Sequence, residues 1–315
     1  MPKEKSMLTR RSLIAAAAAL TLTAGAAHAQ EWKKQYPELT FAVIPAENAS
    51  ATNDIYTPFA DYLSKELGVP VKLRIANDYA AVIEAQRTGS AQIAFYGPAS
   101  YARAILTGVK VEPLVVQRHN TGLTGYYSVV WVKADSPYKT LADLKGKTIA
   151  LVDPNSTSGN QAPRYFLNKE GYSVDSYFGK SVYAGSHDNA VLAVAQGTAD
   201  AAANAWNSET DSYLTRLAAR GLLKSADGKP LNQADFRIVY KSDLIPEGPF
   251  AVLASLPEDL KKQIAQAFLD APKKDKAAFD KLSGGKDIEF SPITAKDYEG
   301  IIGMVKYNDD QRKRS

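Results

Sequence analysis

Three hydroxyl side chains in a row, Ser156, Thr157 and Ser158, stand between Asp153-Pro154-Asn155 and Gly159, where a predicted strand gives way to a predicted helix. Amides at a helix start have no intrahelical acceptor and carry partial positive charge, so three hydroxyls there gather donors suited to an anion. The same residue types are also the preferred ordinary helix caps. A second junction, Gly185-Ser186-His187-Asp188-Asn189, sets an imidazole at another helix start. There it can donate from a ring nitrogen or, if protonated, add positive charge, although a partly buried structural histidine fits the same pattern. A third junction is Ala76-Asn77-Asp78-Tyr79. Several of the 17 tyrosines lie at or near such turns, among them Tyr79, Tyr96, Tyr126 and Tyr127. A phenol offers one donor and an apolar wall. No Arg or Lys falls inside these motifs, which predicts a pocket of neutral donors.

The elements that must position these residues alternate between strand and helix. Strands are predicted at 39–45, 71–75 and 91–96, with helices at 56–66 and 79–86 between them, which reads as an α/β fold with a largely parallel sheet. The alternation restarts at 127–132 and continues through strands near 148–152, 182–183 and 199–204, with helices at 160–169, 189–196 and 208–219. A strand at 236–240 and helices at 256–271, 273–282 and 297–305 finish the chain. In open α/β sheets ligands sit beyond the carboxyl ends of the strands, so the three junctions can converge on one cleft. About 285 residues beyond the leader exceed one typical core, and two lobes are expected. Lobe one is predicted over 30–128 and 243–315 and lobe two over 129–242, joined by a two-strand hinge with crossings near 127–132 and 236–242.

Basic Lys3, Lys5, Arg10 and Arg11 precede an apolar run over 13–27 that ends in Ala27-His28-Ala29, the pattern of a cleaved secretory signal over 1–29. Arg10-Arg11 leaves the general and twin-arginine routes both open. The leader carries a net +3 of the chain's formal +4, so the mature protein is nearly neutral and lacks the basic field that nucleic-acid binding needs. No later stretch is apolar enough to span a membrane, which predicts a mature chain in the periplasm, expected to be a monomer. With no cysteine and only His119 and His187 beyond the leader, no metal site and no cofactor are expected. Ser156, His187 and Asp188 could be arranged as nucleophile, base and orienter, but no G-x-S-x-G elbow is present and Asp188 suits a helix cap. Enzymatic activity is therefore not expected.

Asp-Pro-Asn-Ser-Thr-Ser-Gly at 153–159, followed by Gly185-Ser186-His187 and preceded by Asn77-Asp78-Tyr79 and Gly125-Tyr126-Tyr127-Ser128, resembles the phosphonate/phosphite/hypophosphite family of ABC transporter binding proteins. The likeness runs over about 39–249. It implies the type II periplasmic binding fold, which closes over its ligand like a flytrap, and delivery to a membrane permease. It implies that Ser156, Thr157 and Ser158 grip the oxygens of a small phosphorus oxyanion, that Tyr79 and Tyr126 approach from the other lobe, and that His187 meets a second oxygen. Tyr96 would face the same cleft. Relatives that take an aminoalkylphosphonate place a carboxylate where this chain has Asn207, beside Trp206. If Trp206 capped the pocket, its indole would suit a ligand with hydrogen in place of an organic arm, which points to phosphite or hypophosphite. A core role for Trp206 is the alternative. Alkyl- or aminoalkylphosphonates stay possible, the latter if Glu209 or Glu247 reaches the cleft.

Overall fold

The computed structural model describes residues 31–314; the predicted leader and its cleavage point at Ala29 lie outside them. After a short helix at Glu31–Gln35, strand β1 (Leu39–Val43) leads into the helix Ala49–Leu67, β2 (Val71–Ile75), the helix Tyr79–Arg87, β3 (Ile93–Phe95) and the helix Pro98–Leu106. β4 (Val111–His119) completes the outward path, and β5 (Gly125–Lys133) opens a second set. There β6 (Thr148–Leu151), β7 (Lys180–Tyr183) and β8 (Ala201–Ser208) alternate with helices at Ala162–Lys169, Val174–Tyr177 and His187–Ala195. The short β9 (Asp211–Ser212), the helix Tyr213–Ala219, β10 (Phe236–Lys241) and β11 (Ile245–Pro246) follow. The chain ends with β12 (Phe250–Leu253), helices Glu258–Lys274 and Lys276–Ser283, β13 (Asp287–Pro292) and the helix Glu299–Arg314.

Two sheets result, ordered β13-β4-β12-β3-β1-β2 and β10-β5-β8-β6-β7. In each, three strands are parallel and one strand that has just arrived from the other sheet is inserted antiparallel beside them. β12 lies between β3 and β4, and β5 lies between β8 and β10. The sheets are therefore mixed rather than largely parallel, since β12–β3, β12–β4, β13–β4, β5–β8 and β10–β5 all pair antiparallel. The α/β class and type II periplasmic binding architecture hold. The strands expected to be crossings both belong to the second sheet, and the chain passes between sheets at 120–124 and 247–249. The helix expected at 208–219 starts at Tyr213, since β8 runs on to Ser208 and folds back onto β9.

The first sheet's core is aromatic. Phe250 on the returning strand β12 is 1% exposed and sits 4.7 Å from Phe95, 4.8 Å from Phe268 and 5.4 Å from Phe290, ring centre to ring centre. Such a residue ties the return crossing to its destination sheet. Phe250→Ala should lower the unfolding free energy by about 3–5 kcal/mol through lost burial and the cavity it leaves. A urea titration followed by circular dichroism would show the shifted midpoint.

Candidate ligand-binding site

Strand-to-helix turns from both sheets open onto one gap. After β6, Ser156 accepts from the amide of Gly159 at 3.1 Å and starts a π-helical turn, Thr157–Gln161, that runs into the helix Ala162–Lys169. Single π turns of this kind recur at functional sites. Gly159 is needed because its α carbon presses on β6's continuation: a Cβ there would lie 2.2 Å from Val152 Cγ2. Capping and anion binding are compatible at Ser156. The cap consumes an acceptor lone pair of the hydroxyl and leaves its hydrogen to donate. Thr157 is in the same condition, its Oγ1 accepting from the amide of Ala99 in the opposite sheet's unit at 2.8 Å. The Ser158 carbonyl is held by the Ser128 hydroxyl at 2.7 Å, which fixes the turn against β5. All three nest residues are buried.

Tyr79 and Tyr126 reach this nest. Burial pushes both phenols far above their ordinary range, partly offset by hydrogen bonds to Ser156 for Tyr79 and to Thr157 and Ser158 for Tyr126. Both therefore remain donors. Tyr79 starts its helix behind the cap Asp78, which accepts from Ala81 at 2.7 Å. His187 follows the cap Ser186, which accepts from Asn189 at 3.1 Å. Gly185 before it adopts φ +84°, a left-handed turn open to glycine without strain. Burial pushes the His187 imidazole down to about 3, so the ring is neutral at physiological pH, and its Nδ1 has no protein partner. The ring stacks on Tyr213 at 4.5 Å. Asp188 bonds to Asn48 and Arg220 rather than to His187, so no Ser-His-Asp relay is assembled.

Three of the predicted roles need correction. Tyr126 begins β5 of the second sheet, the sheet that also carries the nest, so only Tyr79 approaches from the other lobe. Tyr96 lines the cleft wall, but it is fully buried and its hydroxyl donates to Gln86 at 3.0 Å, so it offers a ring rather than a free donor. Trp206 does not line the cleft. Successive side chains of a strand face opposite ways, and on β8 it is Ala205 and Asn207 that reach the cavity. Trp206 pairs with Tyr127 across β5, rings 5.8 Å apart, beneath the ammonium of Lys241. The indole cap that pointed to phosphite or hypophosphite is thus not there.

The cavity of about 140 Å³ is well below the roughly 300–1,000 Å³ of drug-sized pockets, which suits a ligand of few atoms. Its walls are more charged than the sequence motifs predict. Arg216 enters from the helix Tyr213–Ala219 and bonds Asp211 at 3.0 Å and Glu47 at 3.3 Å. Burial opposes its charge, and Asp211, Tyr213 and Glu47 more than restore it. Asn207 donates to Asp211 at 2.7 Å. On the hinge side, His119 holds Asp287 through Nδ1 at 2.6 Å and Glu247 through Nε2 at 2.7 Å. Burial alone would lower this imidazole; the two carboxylates overcome it and raise it to about 10. Glu209 lies away from this cavity, and Glu247 lines it.

A small, half-open cleft between two α/β lobes, with a cluster of hydrogen-bond donors in its wall, is the arrangement of a solute-binding protein. A family model described as ABC transporter, phosphonate, periplasmic substrate-binding protein matches residues 41–298, and the chain belongs to that family. It is 32% identical over 283 residues to the phosphate-import protein PhnD of Mycolicibacterium smegmatis, covering 84% of each chain. It is also 32% identical over 303 residues to the phosphonates-binding periplasmic protein of Escherichia coli, covering 91% of this chain and 84% of that one. Among solved structures, PhnD1 of Prochlorococcus marinus in complex with methylphosphonate superimposes with a TM-score of 0.71 at 22% identity, covering 87% of this chain and 98% of that chain. The chain is accordingly a transport binding protein of a periplasmic family and not an enzyme. Among the described residues no helix is long and apolar enough to cross a membrane.

The His119 tie yields a pH dependence. An imidazole raised to about 10 from 6.5 contributes stability that is fully present below about pH 6.5 and is lost as pH climbs through about 10. Urea midpoints should fall between about pH 6.5 and about pH 9.5, and His119→Gln should flatten that decline. An equal decline in the variant would show that His119 is not its source.

Proposed function

We propose that the chain captures a small phosphonate in the periplasm and hands it to an ABC permease. Its phosphonyl oxygens are taken by the nest at Ser156, Thr157 and Ser158, with Tyr79, Tyr126 and His187 completing the donors. The substituent points across the cleft, toward the floor formed by Glu247, His119 and Asp287. The observation that carries this reading is the opposition of the two walls. The O–H and first-turn N–H groups of the nest lie on one side, and hydrogen-bonded carboxylates lie on the other. A substituent bearing an amine or hydroxyl would find acceptors there, whereas the extra oxygen of phosphate would meet them with the wrong sign. The related phosphonates-binding protein and the methylphosphonate-bound neighbour support the same ligand class. Phosphite or hypophosphite is the second reading, now supported by the size of the cavity, about 140 Å³, and by Asn207 in place of a carboxylate.

The leader over 1–29 would deliver the chain to the periplasm, where we expect it to act as a monomer whose two lobes are joined by the crossings at 120–124 and 247–249. The neutral His187 contributes a directional bond rather than charge, so affinity should vary little across pH 5.5–7.5 from that group.

Calorimetric titration with aminoethylphosphonate, methylphosphonate, phosphite, hypophosphite and phosphate is the direct test. The expected order places the amine-bearing phosphonate first and phosphate last. Ser158→Ala should weaken the best ligand by about ten- to a hundred-fold, the equivalent of one bond to a charged group at about 1.5–3 kcal/mol. Tightest binding of phosphite or hypophosphite would favour the second reading, and tight phosphate would sink both.

A further inference from the structure

Beyond the nest, the cleft is bridged by charges from both lobes. Glu47 follows β1 in the first lobe, and Asp188 starts the helix His187–Ala195 in the second. Both carboxylates are buried, at 7% and 1% exposed. Arg220, just beyond the helix Tyr213–Ala219, joins them: its Nη1 donates to Glu47 Oε2 at 3.0 Å and its Nη2 to Asp188 Oδ2 at 3.1 Å. Arg216 donates to Glu47 Oε1 at 3.3 Å from the same helix. Alongside, the Asn48 amide and side chain donate to Asp188 Oδ2 at 3.2 and 3.1 Å, and the His187 amide donates to the Ala46 carbonyl at 2.9 Å. Segment 46–48 of one lobe is thus fastened to 187–188 and to Arg216 and Arg220 of the other.

We propose that Arg220 is the keystone of an inter-lobe latch that holds the cleft partly closed without ligand and thereby sets how long a captured ligand stays. Without Arg220, closure would bring Glu47 and Asp188 together in a buried setting with only Arg216, already shared with Asp211, to offset them. Breaking a buried pair on one side costs more than removing both partners, because a bare charge remains. Glu47 and Arg216 line the cavity but Arg220 and Asp188 do not, so a change at Arg220 acts on closure and leaves the ligand contacts in place. Closing in advance raises apparent affinity for every ligand of the closed state by the same factor.

The inference takes the cleft as the ligand site, but its test needs no ligand, so it can fail or stand apart from the phosphonate reading. The chain has no cysteine, so exposed Asp61→Cys and Lys180→Cys place two labels, one on each lobe, for a single-molecule distance measurement. Ligand-free protein should show a closed population, and Arg220→Gln should lower its closed-to-open ratio about ten-fold. Arg220→Lys should fall between them. The double variant Glu47→Gln/Arg220→Gln should regain part of the closed population, since it also removes the repulsion. A circular-dichroism melt of each variant separates opening from unfolding. No closed population in the ligand-free parent, an unchanged ratio in Arg220→Gln, or a double variant at least as open as the single one would each overturn the latch.

Discussion

The cleft depends on one close approach, the α carbon of Gly159 against Val152. With no side chain at 159, the turn after β6 can lie flat against the strand's continuation, so Ser156 closes its cap and the next two residues enter a π turn instead of a regular first turn. That geometry aims the hydroxyls of Ser156 to Ser158 out of the lobe and across the gap. Any Cβ at 159 would lift the turn by more than a side chain can absorb, since the obstacle is a β-branched residue held in the core. The other donors are arranged around this fixed point. Tyr126 comes from β5, whose next-but-one residue Ser128 holds the Ser158 carbonyl, and Tyr79 starts a helix whose first amide leans on Asp153.

Around that neutral nest, no cation is left bare. Arg216 sits between Asp211 and Glu47, and His119 between Asp287 and Glu247, so each cation lining the cavity is outnumbered by two carboxylates. A bare cation in the cavity would bind any small anion, and tightly enough to resist release; a compensated one leaves recognition to directional hydrogen bonds. The neutral state of His187 has the same consequence, because a dry imidazole with one unpartnered nitrogen recognises geometry more than charge. A transport protein must let go, and neutral donors make that possible.

The legible parts of this arrangement were those set by local chemistry. Ser, Asp and Gly at turns announce helix starts whatever lies around them, so 153–159, 185–189 and 76–79 were recognisable, and the parallel strands feeding them had clear apolar runs. The hinge wall was not legible, since His119, Glu247 and Asp287 come from β4, a crossing and β13, which meet only through antiparallel pairings set by tertiary structure. β4 and β13 are short of regular alternation and each carries a register shift. Trp206 misled for a related reason. Its type suits a pocket cap, but which face of β8 it occupies is decided by the register against β5, and that register pairs it with Tyr127 on the side away from the ligand.

Closure and recognition share one cavity but rest on different interactions. The chain crosses between the sheets at 120–124 and 247–249, and His119 binds Glu247 of the second crossing and Asp287 beside the first. This stiffens the back of the cleft where it bends. The contacts of Glu47 and Asp188 with the arginines join the two lobes across the cleft, and rotation about the crossings must lengthen them. Charge pairs tolerate such displacement, because Coulomb attraction falls slowly with distance, whereas the hydroxyl nest loses its bonds within a fraction of an ångström. The charge pairs can therefore draw the lobes together over the range in which the nest is still blind to its ligand, and the directional donors decide what the closed lobes retain.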